Sequence, residues 1–192
     1  MSRGDADRRA LVDAFVRTGA LRFGAFTLAS GRSSPYYVDA KRAITEPEVL
    51  RSVAKAMAPF ARGADRIAGV ELGAVPLAAA VSLESGTPYV MVRKQAKEHG
   101  TKAGYEGALN RGDRVLFVED VVTTGGTLVV AIERLRGEGA VVEDAAVIVD
   151  RGEGGREALA KTGVRLHAIL TADYLLAASG DREPHGRPPS SL

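Results

Sequence analysis

Short apolar runs alternate along this chain with segments whose apolar residues recur at helical spacing. The runs have the β-branched character expected of strands that are buried on both faces of a sheet. They are residues 66–71, 88–92, 115–118, 140–149 and 164–170. The helical segments between them are residues 46–61, 75–84, 128–135 and 156–161. Strands that alternate with helices favour a parallel sheet, so we predict an α/β fold with a central, mostly parallel sheet flanked by helices.

The two ends of the chain depart from this alternation. Residues 6–17 form an amphipathic pattern, and residues 29–34 form a polar turn before Tyr36 and Tyr37. Neighbouring residues of a strand point to opposite faces, so one tyrosine ring is expected in the core while the other is available to stack on a flat ligand. After a helix predicted at 171–178, Gly, Pro, Ser and charged residues predominate. We predict one domain over 1–178 and a disordered tail over 179–192.

Composition narrows the classes of function. The chain has 192 residues, a formal net charge of +2 and no cysteine, which suits one domain without disulfides or a thiolate metal site. So small a net charge gives no case for nucleic-acid binding. No signal peptide is visible, and the most apolar stretch, 67–83, is too short and too interrupted to span a membrane. We expect a cytoplasmic protein that binds neither membranes nor nucleic acid.

The segment 115–127 combines a buried strand, two acids and a loop of threonine and glycine. Glu119 and Asp120 end the predicted strand, and residues 123–127 lead into a helix. Small loop residues let backbone N–H groups approach an anion, and the start of a helix adds unpaired donors. The two carboxylates suit hydrogen bonds from vicinal hydroxyls or metal-bound water. Phosphate beside a diol indicates a phosphorylated ribose; the alternative is an ordinary turn with solvated acids and a threonine N-cap.

Three other segments place polar groups where predicted strands end. Residues 69–76 form a second glycine-containing turn, which suits either another phosphate or a tight connection. Residues 93–107 are rich in basic residues and glycine, as in a loop that closes over a polyanion or in a solvated hairpin. Arg151 follows a strand, where its guanidinium suits a carboxylate or an imide-like edge; a surface salt bridge is the alternative.

Residues 119–127 closely resemble the phosphoribosyl-diphosphate (PRPP) binding motif of the type I phosphoribosyltransferases, in the version found in orotate phosphoribosyltransferases. Other segments are similar to motifs of that family and occur in its order. Residues 26–37 resemble its N-terminal substrate hood, 93–100 its catalytic loop, and 150–155 the segment whose arginine meets orotate. The resemblance implies the type I phosphoribosyltransferase fold, with a small hood made of roughly residues 1–42 and a C-terminal segment.

The resemblance also implies a role for each motif residue. Lys97, Glu119 and Asp120 would form the catalytic group, the two acids holding the ribose hydroxyls. Orotate would be bound by Tyr36, Tyr37, Thr123 and Arg151. The PRPP contacts would be Arg93, Lys94, Lys97, His99, Glu119, Asp120, Val121, Val122, Thr123, Thr124, Gly125, Gly126 and Thr127. Mg²⁺ would arrive with PRPP rather than bind the protein directly, and the catalytic loop would reach the neighbouring subunit of a homodimer.

The activity that this resemblance implies is transfer of phosphoribose from PRPP to orotate, which gives orotidine 5′-monophosphate and pyrophosphate on the route to UMP. The alternatives are a purine phosphoribosyltransferase and a non-catalytic regulator that senses PRPP. Two positions depart from the family pattern, because lysine is frequent where Ala29 and Gly73 stand here. Our hypothesis is that Lys41 or Arg42 supplies the missing charge.

Overall fold

The computed structural model describes residues 3–27, 33–94 and 104–180. Its helices are α1 (Arg3–Arg17), α2 (Ala40–Ala43), α3 (Pro47–Met57), α4 (Ala74–Ser85), α5 (Gly126–Gly137), α6 (Gly155–Lys161) and α7 (Ala172–Gly180). Its strands are β1 (Leu21–Thr27), β2 (Ser33–Val38), β3 (Arg66–Val70), β4 (Tyr89–Val92), β5 (Tyr105–Glu106), β6 (Arg114–Val122), β7 (Val141–Asp150) and β8 (Arg165–Thr171). A 3₁₀ turn, Ala58–Ala61, follows α3.

The main sheet has the strand order β5-β4-β3-β6-β7-β8. Its pairs are parallel except for β4 and β5, which are antiparallel. The predicted central, mostly parallel sheet flanked by helices is therefore confirmed. The short edge strand β5 was not predicted, because the two residues that form it lie in a stretch without an apolar period. Strands β1 and β2 form a separate antiparallel hairpin where the hood was expected.

Alternate side chains of β6 enter two different cores. Leu116 and Val118 belong to a cluster that includes residues of α1, α3, α4 and α7. Val115 and Phe117 belong to a second cluster, on the other face of the sheet, that includes residues of α5 and α6. Because helices cover both faces of the strand, its sequence is a continuous apolar run rather than an alternation of apolar and polar residues.

Strand β6 is longer than its apolar run indicated. The prediction that the two acids end the strand is wrong, since β6 continues through Glu119 and Asp120 to Val122. The cause is the neighbouring strand β7, whose Val147 and Val149 pair with Glu119 and Val121 of β6. The acids therefore have extended backbone and lie within the sheet instead of in a solvated loop.

The last helix ends slightly beyond its predicted boundary. α7 continues to Gly180, and residues 181–192, the rest of the predicted tail, lie outside the described residues. Within residues 3–27, 33–94 and 104–180, no helix combines the length and the apolar character needed to cross a membrane.

We expect Gly69→Ala to destabilise the fold, because Gly69 is where β3 lies closest to α4. A Cβ there would collide with the carbonyl oxygen of Ala74 and would lie 3.0 Å from the Cβ of Ala78. Such overpacking costs about 1–3 kcal/mol of unfolding free energy, which urea denaturation would measure. The control is Gly137→Ala in α5, where a Cβ meets nothing within 4 Å. Equal stability of the two variants would contradict this prediction.

Candidate active site

The carboxyl ends of three neighbouring strands share one edge of the sheet. β3, β6 and β7 are adjacent and parallel, so the turns and loops that follow them leave the sheet side by side. These connections are residues 71–73, 123–125 and 151–154. The topology thus brings together three segments that the sequence analysis had proposed separately.

The loop after β6 presents small polar residues to solvent. The side chains of Thr123, Thr124 and Thr127 are exposed, whereas Val122 is buried and has only its backbone available to a ligand. Gly125 has a φ of 79°, in the left-handed region that favours glycine, and directly precedes α5. No side chain caps the start of α5, so its N–H groups remain available to an anion.

Gly155 supports this loop from the start of α6. A side chain at Gly155 would collide with Val122 and would lie 2.6 Å from the carbonyl oxygen of Thr123. The absence of a side chain therefore lets α6 pack directly against the loop after β6. Gly155 belongs to the motif at 150–155 but had no predicted role; the adjacent Gly154 and Gly155 were the available signal.

Glu119 and Asp120 form an acid pair within β6, shortly before the strand ends at Val122. Asp120 is only 3% exposed; its Oδ1 accepts the N–H of Val121 at 2.7 Å, and its Oδ2 lies 2.6 Å from Nζ of Lys41. Oε1 of Glu119 accepts the N–H of Asp120 at 3.0 Å. Burial, together with the nearby charge of Asp120, raises the pKa of Glu119 to about 8. At neutral pH the Glu119 carboxyl of the free protein is therefore mostly protonated.

Arg151 lies over the ring of Tyr36, with its guanidinium carbon 4.8 Å from the ring centroid. Its side chain is 9% exposed, and its Nε is buried, 3.4 Å from a carboxylate oxygen of Glu153. Asp150 stabilises this segment because its Oδ2 lies 3.0 Å from Nη2 of Arg156. A planar cation held in this way suits a planar, anionic ligand.

Tyr37 lies on the other face of β2. Its ring centroid is 5.9 Å from that of Phe26 and 5.1 Å from the guanidinium carbon of Arg22. The structure therefore brings Tyr36, and not Tyr37, to Arg151, as the alternation of side chains along a strand requires. A role for Tyr37 in binding orotate stays a prediction.

The start of the basic segment is anchored by contacts that the sequence did not reveal. The guanidinium of Arg93 donates to Oε1 of Glu106 at 2.7 Å, and the N–H of Lys94 donates to Oε1 of Glu71 at 2.8 Å. From α5, Arg134 donates to the carbonyl oxygen of Arg93. The structure thus gives Arg93 a carboxylate partner and adds Arg134, which no sequence signal had singled out.

Lys97 and His99, predicted to contact PRPP, lie outside the described residues, as does Ala29. Among residues 3–27, 33–94 and 104–180, no group of three or more His, Cys, Asp or Glu side chains could hold a metal ion. That Mg²⁺ arrives with PRPP stays a prediction.

Comparisons with known proteins agree on one family. The family model described as phosphoribosyl transferase domain matches residues 42–169. The chain is 47% identical over 169 residues to an orotate phosphoribosyltransferase of Methanopyrus kandleri, in an alignment that covers 88% of this chain and 92% of the relative. It is 49% identical over 168 residues to that of Halobacterium salinarum, with coverage of 88% and 96%. The chain belongs to the phosphoribosyltransferase family.

Solved structures share the fold of this phosphoribosyltransferase. The orotate phosphoribosyltransferase of Aeropyrum pernix matches with a TM-score of 0.77 and 37% identity, over 90% of this chain and 99% of that one. The Mycobacterium tuberculosis enzyme in complex with PRPP matches with a TM-score of 0.72 and 31% identity, over 88% and 98%. The resemblance inferred from residues 119–127 is confirmed, whereas the roles of individual residues stay predictions.

We expect Glu119→Gln to stabilise this phosphoribosyltransferase increasingly as the pH rises from about 4.5 to 8. The pKa of Glu119 is raised to about 8 in the folded protein, while an unfolded glutamate titrates near pH 4.3. Between these values the unfolded chain binds fewer protons, so the stability of the wild type falls with rising pH. Glutamine cannot ionise, so its advantage in the free energy of unfolding should grow by about 1 kcal/mol for each pH unit between these values.

Urea denaturation of both proteins at several pH values measures this difference. At about pH 4.5 the side chain at position 119 is neutral in both folded proteins, so their stabilities should be similar. A constant offset across the pH range would contradict the prediction.

Proposed function

We propose that this protein is an orotate phosphoribosyltransferase, which transfers the 5-phosphoribosyl group of PRPP to orotate in the biosynthesis of UMP. The curated relatives of similar length carry that name. The observation in the structure that carries the proposal is the position of the Thr/Gly loop and acid pair beside the Arg151–Tyr36 stack. The loop and the acid pair suit phosphoribose, and the Arg151–Tyr36 stack suits a planar carboxylate such as orotate.

The two parts of the substrate site would divide the binding. The N–H groups at the start of α5 and the hydroxyls of Thr123, Thr124 and Thr127 would hold the 5′-phosphate. Glu119 and Asp120 would accept hydrogen bonds from the ribose hydroxyls. Arg151 would pair with the carboxylate of orotate while Tyr36 supports its guanidinium from below.

The chemistry needs no covalent intermediate on the protein. N1 of orotate bonds to C1′ of PRPP as the bond from C1′ to pyrophosphate breaks, which inverts the configuration at C1′. The N1 proton would pass to an oxygen of the leaving pyrophosphate. Positive charge then develops on the ribose and negative charge on the leaving group. Basic residues of the segment 93–100, Lys97 above all, would stabilise the leaving group electrostatically.

Mg²⁺ is part of the proposal, as an ion that arrives with PRPP. The acid pair fits this arrangement, because carboxylates next to a diol can accept hydrogen bonds from hydroxyls or from metal-bound water. When it is bound to PRPP, Mg²⁺ neutralises charge that gathers on pyrophosphate. We also propose that the protein works in the cytoplasm, where PRPP and orotate are available as soluble substrates.

The test of this function is the loss of the near-ultraviolet absorbance of orotate when the protein, Mg²⁺ and PRPP are mixed. We expect turnover by the wild type and a large loss of rate in Lys97→Ala. If PRPP binds while orotate stays unchanged, purine bases become the next substrates to test. If PRPP does not bind, the proposed function fails.

We expect Arg151→Gln to weaken the use of orotate and to leave PRPP binding nearly unchanged. Loss of a charge-assisted pair costs about 1.5–3 kcal/mol, so KM for orotate should rise about 10- to 100-fold. Calorimetric titration with PRPP should give a dissociation constant close to that of the wild type. The matched control is Arg165→Gln, because Arg165 pairs with Asp144 near the opposite edge of the sheet. If Arg151→Gln weakened the use of orotate and the binding of PRPP equally, the assignment of Arg151 to orotate would be contradicted.

The homodimer in the proposal is supported by an apolar stripe on α4. Ala74, Leu77, Ala78 and Val81 pack into the core. The other side carries Val75, Ala79 and Leu83 at helical spacing, and Leu72 lies in the turn just before the helix. Leu72 is 80% and Leu83 88% exposed. A helix that is apolar on all sides normally has a partner on each of them, and a second copy would cover the outer side here. The catalytic loop, which follows β4, the strand after this helix, would reach the neighbouring subunit.

We expect Leu83→Glu to convert the dimer into monomers. A two-fold interface presents the same patch from both subunits, so the substitution would bury two unpaired charges. Sedimentation velocity measures the mass of the species in solution. Val130→Glu in α5 is the control, because Val130 is also exposed, at 60%, and lies on a different helix. A dimer that persists in Leu83→Glu would place the interface elsewhere.

A further inference from the structure

Lys41 reaches the acid pair from outside the segments that form the loop. It lies on α2, a short helix that Asp39 caps by accepting the N–H of Arg42 at 3.1 Å. Its Nζ lies 2.6 Å from Oδ2 of Asp120, and its side chain is 66% exposed. Lys41 therefore presents an ammonium group to a buried carboxylate from the solvent side of the site.

Gly73 makes the space that the lysine side chain occupies. A Cβ at Gly73 would lie 2.7 Å from Cε of Lys41 and 3.2 Å from Oδ2 of Asp120. The backbone of Gly73 has φ −65° and ψ −36°, a conformation that any residue adopts. A side chain at Gly73 would therefore displace the flexible end of Lys41 from this place, although the path of the chain would allow it.

The two carboxylate oxygens of Asp120 have different partners. Oδ1 accepts the N–H of Val121 at 2.7 Å, and Oδ2 faces Lys41. Asp120 is almost completely buried, and a buried carboxylate that loses its cation is destabilised where it lies, which favours turning toward water. That movement would take its oxygens away from the place where a ribose hydroxyl would bind.

Arg42, the next residue of α2, does not share this position. Its guanidinium carbon lies 3.8 Å from where a Cβ of Gly19 would stand, at the end of α1. Of the two cations in our hypothesis about the missing charge, the structure therefore brings Lys41 to the acid pair and Arg42 to another part of the surface.

We propose that Lys41 is a positioning residue for PRPP, which holds the carboxylate of Asp120 in the orientation that accepts the ribose hydroxyls, and that the lack of a side chain at Gly73 leaves it room. The inference rests on the proposed function, since it assumes that Asp120 contacts the diol of PRPP. Lys41 and Gly73 lie in different parts of the chain, and no single sequence motif includes both.

The test is a double-mutant cycle on PRPP binding, measured by calorimetric titration with PRPP and Mg²⁺. Lys41→Ala removes the cation, and Gly73→Ala keeps it but forces it away from Asp120. We expect Lys41→Ala to weaken binding about tenfold or more and Gly73→Ala several-fold. The double variant should bind PRPP no more weakly than Lys41→Ala alone, because both changes break the same contact.

Two further variants separate positioning from a general loss of charge or stability. Lys41→Arg should restore part of the affinity, and Arg42→Ala, which removes an equal charge from the neighbouring position, should bind PRPP as the wild type does. In assays of turnover, Lys41→Ala should raise KM for PRPP while kcat at saturating PRPP changes less than about threefold. Gly73→Ala keeps every charge, so it gives a result even where Lys41→Ala fails to fold.

The outcomes distinguish this inference from the proposed function. A wild-type protein that does not bind PRPP overturns the proposed function. A wild type that binds PRPP, with effects of Lys41→Ala and Gly73→Ala that add in the double variant, overturns the role of Lys41 and leaves the function standing. The role of Lys41 is also overturned if Lys41→Ala and Arg42→Ala weaken binding equally.

Discussion

Two neighbouring carboxyl groups at the end of the central strand are the constraint on which the site depends. Glu119 and Asp120 would repel each other if both were ionised in a partly buried place. The structure resolves this conflict in two ways: the pKa of Glu119 is raised to about 8, and Asp120 faces Lys41. Burying two carboxyl groups where the ligand would bind lowers the stability of the fold, as is common for binding sites.

The parallel topology converts this local arrangement into a site. Because β3, β6 and β7 are adjacent, the turn at 71–73, the acid pair and the segment of Arg151 meet at one edge. Close packing of these connections depends on glycine. Gly155 lets α6 contact the loop after β6, and Gly73 leaves room for a side chain from α2. In both places the missing Cβ serves a contact between elements that are distant in sequence.

The hairpin of β1 and β2 adds a cover to this edge. Tyr36 is buried beneath the guanidinium of Arg151, whereas Tyr37 contacts Arg22 and Phe26 on the other face of the hairpin. Tyr36 therefore lies beside Arg151, whereas Tyr37 lies on the opposite face of β2. The stack of Arg151 on Tyr36 thus joins two separate parts of the chain, β2 and the segment after β7.

The sequence by itself determined the parallel α/β architecture and the phosphoribose character of residues 119–127, because apolar periodicity and glycine-rich turns are local properties. Only the tertiary structure decided that β6 runs through the acids, since pairing with β7 extends it. It also decided that Lys41, and not Arg42, meets Asp120, and that Arg134 contacts the backbone of Arg93. These contacts join residues far apart in the chain, and a pattern along the chain holds no information on which distant side chains the packing of helices and strands brings within reach.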